Sequence, residues 1–338
     1  MNIRMLAAVA CLAAPPALAD DDFFKGKTIT IVNSTGNGGS YFNIAQAVAR
    51  HMPRFIPGHP AMAVKSMPGG GNVLATSFMY QNAPRDGTYI ATINNSIPLN
   101  QAIAPRGARY DADKFNWLGS TGTYNSVAYV WRTGGVASVG DVFMREVVLG
   151  GTGVGSSVVI YPSVMNNLLG AKFKIVLGYN TTTEIDLAME RGEVQARTGS
   201  YSGLLDDHPD WVRDGKVNVV LQIGGARDPA LKNVPLLTEL ARNVDEERIL
   251  RLVSSPIALG RPYLAPPETP PERVAILREA FAATMLDREF RADMARMGHE
   301  IQPSSAEEVA RIVADTVNAP ADIVARAREA MGGVAVGP

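Results

Sequence analysis

Cysteine is almost missing: Cys11 is the only one in 338 residues. It lies in MNIRMLAAVACLAAPPALAD, where one Arg precedes a short apolar run and Ala17-Leu18-Ala19 has the small-x-small form of a signal-peptidase site. The run is too short to span a bilayer, so residues 1–19 read as an export signal cleaved near Ala19, with a periplasmic destination. A lipoprotein anchor at Cys11 is the rival, but Ala8, Val9 and Ala10 match a Leu-led lipobox poorly. If Cys11 leaves with the signal, disulfides, a thiolate nucleophile and cysteine metal sites are all excluded. Export without disulfides suits a large domain whose core needs no staple.

An excess of charge of either sign is also missing. Lys and Arg number 32 against 33 Asp and Glu, and no basic block occurs, which argues against nucleic acid and anionic membrane as partners. No later apolar run has the length of a transmembrane helix. The four histidines, His51, His59, His208 and His299, have no metal-ligand spacing, and H-E-x-x-H is absent; no metal or cofactor is expected. His51 and His299 read as surface residues and His208 as a loop residue. The acidic pairs Asp206-Asp207 and Glu246-Glu247 read as solvated, because adjacent helical residues do not converge. Trp117, Trp131 and Trp211 read as core.

What is present is alternation. In Thr28–Gln46 a β-branched run empties into a Gly/Ser turn, and an alanine-rich helical pattern follows. Such a unit aims backbone N–H groups and a helix N-terminus at one point, which suits a carboxylate or a phosphate. Val147–Leu149 repeats the device, leading into Gly150–Ser157 and a helical pattern through Leu169. Further strands are expected at Ala63–Ser66, Tyr89–Ile93, Val127–Trp131, Lys174–Leu177 and Val217–Gln222. Helices are expected at Val73–Asn82, at Glu184–Arg191 with Thr182 or Thr183 as cap, at Glu272–Met285, at Asp287–Met297 and after Ser304-Ser305. The pattern predicts an α/β fold with largely parallel strands, and the length suggests two domains. If each glycine loop sits in its own domain, a small anion can be caught between two helix N-termini, as in exported solute-binding proteins.

Neither loop is a nucleotide motif. The first lacks the P-loop lysine and puts Tyr41 where G-x-G-x-x-G needs its third glycine, and the second misses that spacing.

The chain resembles the substrate-binding proteins of tripartite tricarboxylate transporters, the TctC or Bug family. The likeness runs over nearly all of the mature chain. It is carried by GGSY at Gly38–Tyr41, HMPRFIPGHPAMAVKSMPGGG at His51–Gly71 and NAPRDGTYIAT at Asn82–Thr92. It continues through GTGVGSS at Gly151–Ser157, GY-x-x-x-x-E at Gly178–Glu184 and LAPPETPPERVAILREAF at Leu264–Phe281. The resemblance implies a two-domain periplasmic-binding-protein (type II) fold, each domain a mostly parallel sheet flanked by helices, with the ligand cleft between them. It implies domain 1 at 20–126 and 250–338, domain 2 at 127–249, a small carboxylate ligand and a two-subunit membrane permease as partner; a monomer is expected. By position it implies ligand contacts from Thr35, Gly39, Ser40 and Tyr41, from Asn94 and Ser96 with Asn95 between them, from Gly155, Ser156 and Ser157, and from Tyr179 and Asn180. Phe42 and Gln46 stand where many relatives carry Asp and Arg, which argues against an amino-acid ligand.

Arg197, in QARTGSYS, offers a fixed cation for a carboxylate, with Thr198 beside it; the bland alternative is a surface ion pair with Glu184 or Glu193. Arg261, in GRPY, either reaches the cleft or positions the hinge. Two other functions stay open: an exported α/β hydrolase using Ser156 or Ser157, and a carboxylate sensor for a signalling partner. The hydrolase lacks a G-x-S-x-G elbow and an obvious histidine. Incubation with candidate esters separates it from a receptor: no turnover is expected, and sustained product lost on Ser156→Ala would defeat the receptor reading.

Overall fold

The computed structural model describes residues 23–37, 40–69, 73–103, 109–122, 124–152, 156–179, 182–299 and 301–332. Strands β1 (Thr28–Asn33), β2 (Ala61–Ser66), β3 (Tyr89–Thr92) and β4 (Asn116–Ser120) belong to one sheet. Strands β5 (Ser126–Trp131), β6 (Val147–Gly151), β7 (Phe173–Leu177), β8 (Ala196–Ser200) and β9 (Val217–Ile223) form a second. Strand β10 (Pro262–Ala265) returns to the first. The orders are β2-β1-β3-β10-β4 and β7-β6-β8-β5-β9. In each sheet one strand is reversed, β10 in the first and β5 in the second, and the others run the same way. The fold is α/β, with two sheets each flanked by helices.

The helices are α1 (Ser40–His51), α2 (Val73–Gln81), α3 (Ile97–Ile103), α4 (Asp141–Met144), α5 (Ser157–Val164), α6 (Thr182–Glu190) and α7 (Tyr201–Asp207). They continue with α8 (Pro209–Arg213), α9 (Val244–Leu259), α10 (Pro271–Leu286), α11 (Arg288–Arg296), α12 (Ala306–Val317) and α13 (Ala321–Ala330). A π turn, Met165–Leu169, extends α5.

Both faces of each sheet are covered, and strand alternation shows how. Ile29 and Ile31 pack with Ile44, Val48, Leu277 and Phe281, while Val32 faces Ala75, Met79 and Val309. In β5, Ala128 and Val130 join one core, whereas Val127 and Tyr129 join another beneath α6 and α7. Successive side chains point to opposite faces, so runs without a polar position are the mark of strands buried on both sides.

The chain crosses between the sheets after β4 and returns from β9 through α9 to β10. Leu99 and Ile103 of α3, Ile249 and Ile257 of α9, and Ile323 and Ala327 of α13 all add to the core of the second sheet.

Three elements depart from expectation. The proline-rich stretch begins with β10, paired to β3 and β4; Pro262 opens the strand, a position where a missing N–H is tolerated. Helix α9 is not among the expected helices, although Ile249, Val253 and Ile257 recur at a spacing of four and are buried. It is started by Asn243, whose side chain accepts from Glu246 N at 2.9 Å, and by three acids in its first turn. Glu246 is buried and takes hydrogen bonds from Arg242, so only its neighbour Glu247 fits the solvated reading. Thr182 and Thr183 lie inside α6 rather than before it.

His51 is not a free surface residue either. Its Nε2 lies 3.2 Å from Asp293, which Arg50 (2.7 Å) and Arg296 (3.1 Å) also contact, tying α1 to α11. The Arg50 hydrogen bond, followed by those of His51 and Arg296, holds the Asp293 carboxyl at about 2 against the opposing effect of burial. A carboxyl depressed in the folded state stabilises above its unfolded value near 4, and loses that contribution as pH falls toward 2. Asp293→Asn is expected to cost about 1–2 kcal/mol at pH 7 and to flatten the stability curve between about pH 4 and 2, measured by urea unfolding across pH.

Candidate functional site

With β1, β2, β3 and β4 running together, their C-terminal ends emerge on one edge beside the start of β10. Asn33 organises the end of β1. Its Oδ1 accepts from Thr35 N (3.3 Å) and Thr35 Oγ1 (3.1 Å), and its Nδ2 donates to Thr35 O and Ser66 Oγ. Thr35 is therefore committed to the turn. Helix α1 opens at Ser40. The Tyr41 hydroxyl donates to Gly260 O at 3.2 Å and accepts from Asn95 N at 3.3 Å, so one phenol joins α1, the loop after β3 and the return to β10. Burial, with Tyr124 adding to it, raises the Tyr41 pKa, which keeps this donor protonated.

After β3, Asn94 Oδ1 accepts from Ser96 N (3.0 Å) and Ser96 Oγ (2.5 Å), so these two side chains satisfy each other. Asn95 between them is different: its Nδ2 is buried with no hydrogen-bond partner among the described residues. Ser34 Oγ, Thr121 Oγ1 and Arg261 Nε share that condition, at the ends of β1 and β4 and the start of β10. Buried donors without acceptors are costly and rare in folded proteins. With Thr92 Oγ1 at the end of β3, at least five such groups lie along one sheet edge, which makes it a candidate place for a polar guest. Sequence reading passed over Ser34 and Thr121, which carry no motif, and weighed Arg261 only as a hinge residue or a cleft residue.

The second sheet presents the corresponding edge. Gly150 and Gly151 close β6, where a Cβ would lie 2.4 Å from Ile185 and 2.8 Å from Val159; these glycines serve close packing rather than a ligand. Ser156 has an extended backbone, and its carbonyl accepts from Val159 N (3.0 Å) and Ile160 N (2.9 Å) to start α5. Its Oγ accepts from Thr152 Oγ1 at 2.9 Å. Ser157 opens α5 with its side chain exposed. The Thr198 hydroxyl donates to Val158 O at 3.2 Å, fixing β8 under the first turn of α5. Thr198 therefore positions α5. Tyr179 is half-buried against the core under α6. Gly39, Gly155 and Asn180 lie outside the described residues.

Arg197 is committed elsewhere. Its Nε and a terminal nitrogen donate to the two oxygens of Asp186 at 2.5 and 2.9 Å, and the two side chains are 5% and 4% exposed. Asp186 also accepts from the Tyr129 hydroxyl and lies 3.2 Å from His208 Nε2, with His208 stacked on Trp211. Neither expected partner, Glu184 or Glu193, provides this pairing; it is a buried structural pair, not a surface bridge. Asp186→Ala leaves a buried guanidinium without its carboxylate, so a loss of about 3–5 kcal/mol is expected in chemical denaturation.

Arg261 is the contrasting cation. Its guanidinium carbon lies 4.8 Å from the Tyr124 ring and 5.9 Å from the Tyr41 ring. Tyr124, on the crossing between the sheets, packs against the core that holds Tyr161 of α5, and the Arg261 guanidinium lies near both its ring and that of Tyr41 on α1. Beside this junction is a cavity of about 1310 Å³ between α9, α12 and the strand-end residues that follow β8 and β9. Tyr124, Tyr201, Ser254 and Arg261 face it, and Ser40, Tyr41, Ser156 and Ser157 do not. His51, Asp287 and Glu289 also cluster, but Arg54 pairs with both acids there. No helix among the described residues is long and apolar enough to cross a membrane.

Solved structures share this architecture. A TctC solute-binding protein from Polaromonas superposes with a TM-score of 0.72 at 18% identity, covering 91% of this chain and 99% of that one. MatC from Rhodopseudomonas palustris, with bound malate, gives 0.61 at 18% identity, covering 88% and 99%. An R. palustris protein with adipate gives 0.61 at 17% identity, covering 90% and 97%. Comparison with curated protein sequences finds no match. The model of the tripartite tricarboxylate transporter family receptor matches residues 44–328, and the chain belongs to that family.

Proposed function

We propose that this receptor captures a small organic carboxylate between its two sheets and delivers it, unchanged, to a two-subunit membrane permease. The observation that carries the reading is the pairing of sites. Helices α1 and α5 each begin with serine at the C-terminal edge of a sheet, and Tyr124 packs on the core that holds Tyr161 of α5 while sharing the Arg261 guanidinium with Tyr41 of α1. A carboxylate placed there meets unpaired N–H groups and two helix N-termini, and charge-assisted bonds are the stronger kind. The malate and adipate held by the two R. palustris structures support this class of ligand.

In this reading Ser40, Tyr41 and Asn95 serve the first half of the site and Ser156 and Ser157 the second, with Gly39, Gly155, Tyr179 and Asn180 carried over from sequence. The domains are 20–126 with 250–338, and 127–249. They close about 121–125 and the return through α9, while α13 packs back on the second sheet. Residues 1–19 act as the export signal, the protein works as a periplasmic monomer, and no reaction is catalysed.

A thermal-shift screen of mono-, di-, tri- and aromatic carboxylates is expected to find an acid that raises the melting temperature. Ligand at 100 times its Kd would add about 2.7 kcal/mol. Ser156→Ala is expected to weaken that acid by one to two orders of magnitude in calorimetry, from about 1.5–3 kcal/mol per charge-assisted hydrogen bond. Unchanged affinity would remove the second loop from the site.

A further inference from the structure

We propose that Arg261 is a specificity-determining residue: it receives a second anionic group of the ligand, whose body extends toward the cavity between α9 and α12. The inference rests on the carboxylate reading above and adds a residue and a subsite to it.

The cavity is lined by five arginines, and four of them have a carboxylate within 4.0 Å, two in close pairs and two at the limit of that distance. Arg227 pairs with Glu239 at 2.5 Å and Arg251 with Glu247 at 2.7 Å. Arg248 and Arg311 lie at 4.0 and 3.9 Å from Asp245 and Asp315. Arg261 has no carboxylate within 4.0 Å among the described residues, and its Nε is buried without an acceptor. The residue is half-buried, and a buried guanidinium N–H without an acceptor carries a desolvation cost that an anion would remove.

The residue is also held in place. Its backbone N–H donates to Ser120 Oγ at 3.0 Å, its carbonyl accepts from Thr121 N at 3.2 Å, and two tyrosine rings flank its guanidinium. A preorganised Arg of this kind recognises a planar anion well. A second, independent observation points the same way. Ser254 faces the same cavity, is 3% exposed, and its hydroxyl has no partner among the described residues. The site connects to the carboxylate edge through Gly260, whose carbonyl accepts the Tyr41 hydroxyl. The Arg261 guanidinium carbon is 5.9 Å from the Tyr41 ring at the start of α1, and the proposal places the two ends of the ligand on either side of this contact.

The test is calorimetry with straight-chain α,ω-diacids of four to ten carbons, each beside the monoacid of equal length, on wild type, Arg261→Gln and Arg261→Lys. Wild type is expected to prefer the diacid at its best length. Arg261→Gln is expected to reduce the diacid-to-monoacid affinity ratio by about tenfold or more, the worth of a charge-assisted bond, with monoacid affinity little changed. Arg261→Lys, which keeps the charge but loses the fork, is expected to retain part of the preference. The ratio is taken within each variant, so a general loss of stability cancels. Should the glutamine variant not fold, a reduced ratio in the lysine variant carries the same test. An unchanged ratio overturns the role of Arg261 and leaves the carboxylate receptor standing. If wild type binds no acid of either series, the role of Arg261 falls, and the carboxylate receptor falls with it only if tricarboxylates and aromatic acids also fail to raise the melting temperature.

Discussion

Strand direction is the constraint on which the rest depends. Because all but one strand of each sheet run the same way, the loops after β1, β3 and β4 emerge on one edge, and those after β6, β7, β8 and β9 on another. The reversed strand in each case lies beside a crossing between sheets: β5 follows 121–125, and β10 follows α9. Each crossing therefore enters its sheet at the edge that carries the polar loops. Tyr124, Gly260 and Arg261 are on the crossings, next to Tyr41, because of this topology.

Charge is distributed with the same economy. Arg197 and Asp186 bury opposite charges in a bidentate pair, with Tyr129 and His208 using the remaining acceptor capacity. That pair braces β8 against α6, and Thr198 then ties β8 to the start of α5. The start of α5 is thus held by groups whose hydrogen bonds are made within the second sheet and its helices. Arg261 has no such carboxylate within 4.0 Å among the described residues, and that asymmetry between two arginines is what the proposed role of Arg261 rests on.

Much of this was readable in the sequence, for physical reasons. Val127–Trp131 and the run at Thr28–Val32 are β-branched or aromatic and buried on both faces, so they read as strands. The glycine-loop units stood out because strand, turn and helix signals follow in order, and the family likeness rested on the same segments. Other features were hidden. Strand β10 begins with proline, and α9 carries its acids at a capped N-terminus that looks like a solvated stretch. Arg197 finds Asp186 eleven positions away across a strand and a helix, a pairing that spacing does not encode. Asn94 and Ser96 look like ligand donors but bond each other, which leaves the less conspicuous Asn95 with the free amide. Sequence shows which groups exist, and packing decides which are already spent.

The most direct test of the central claim is a crystal structure of the protein with the acid that most raises its melting temperature. The account predicts one carboxylate of that acid in contact with the α1 start at Ser40–Tyr41 and the α5 start at Ser156–Ser157, with the two sheets closed around it. An acid bound wholly on one sheet, or away from both helix N-termini, would contradict it.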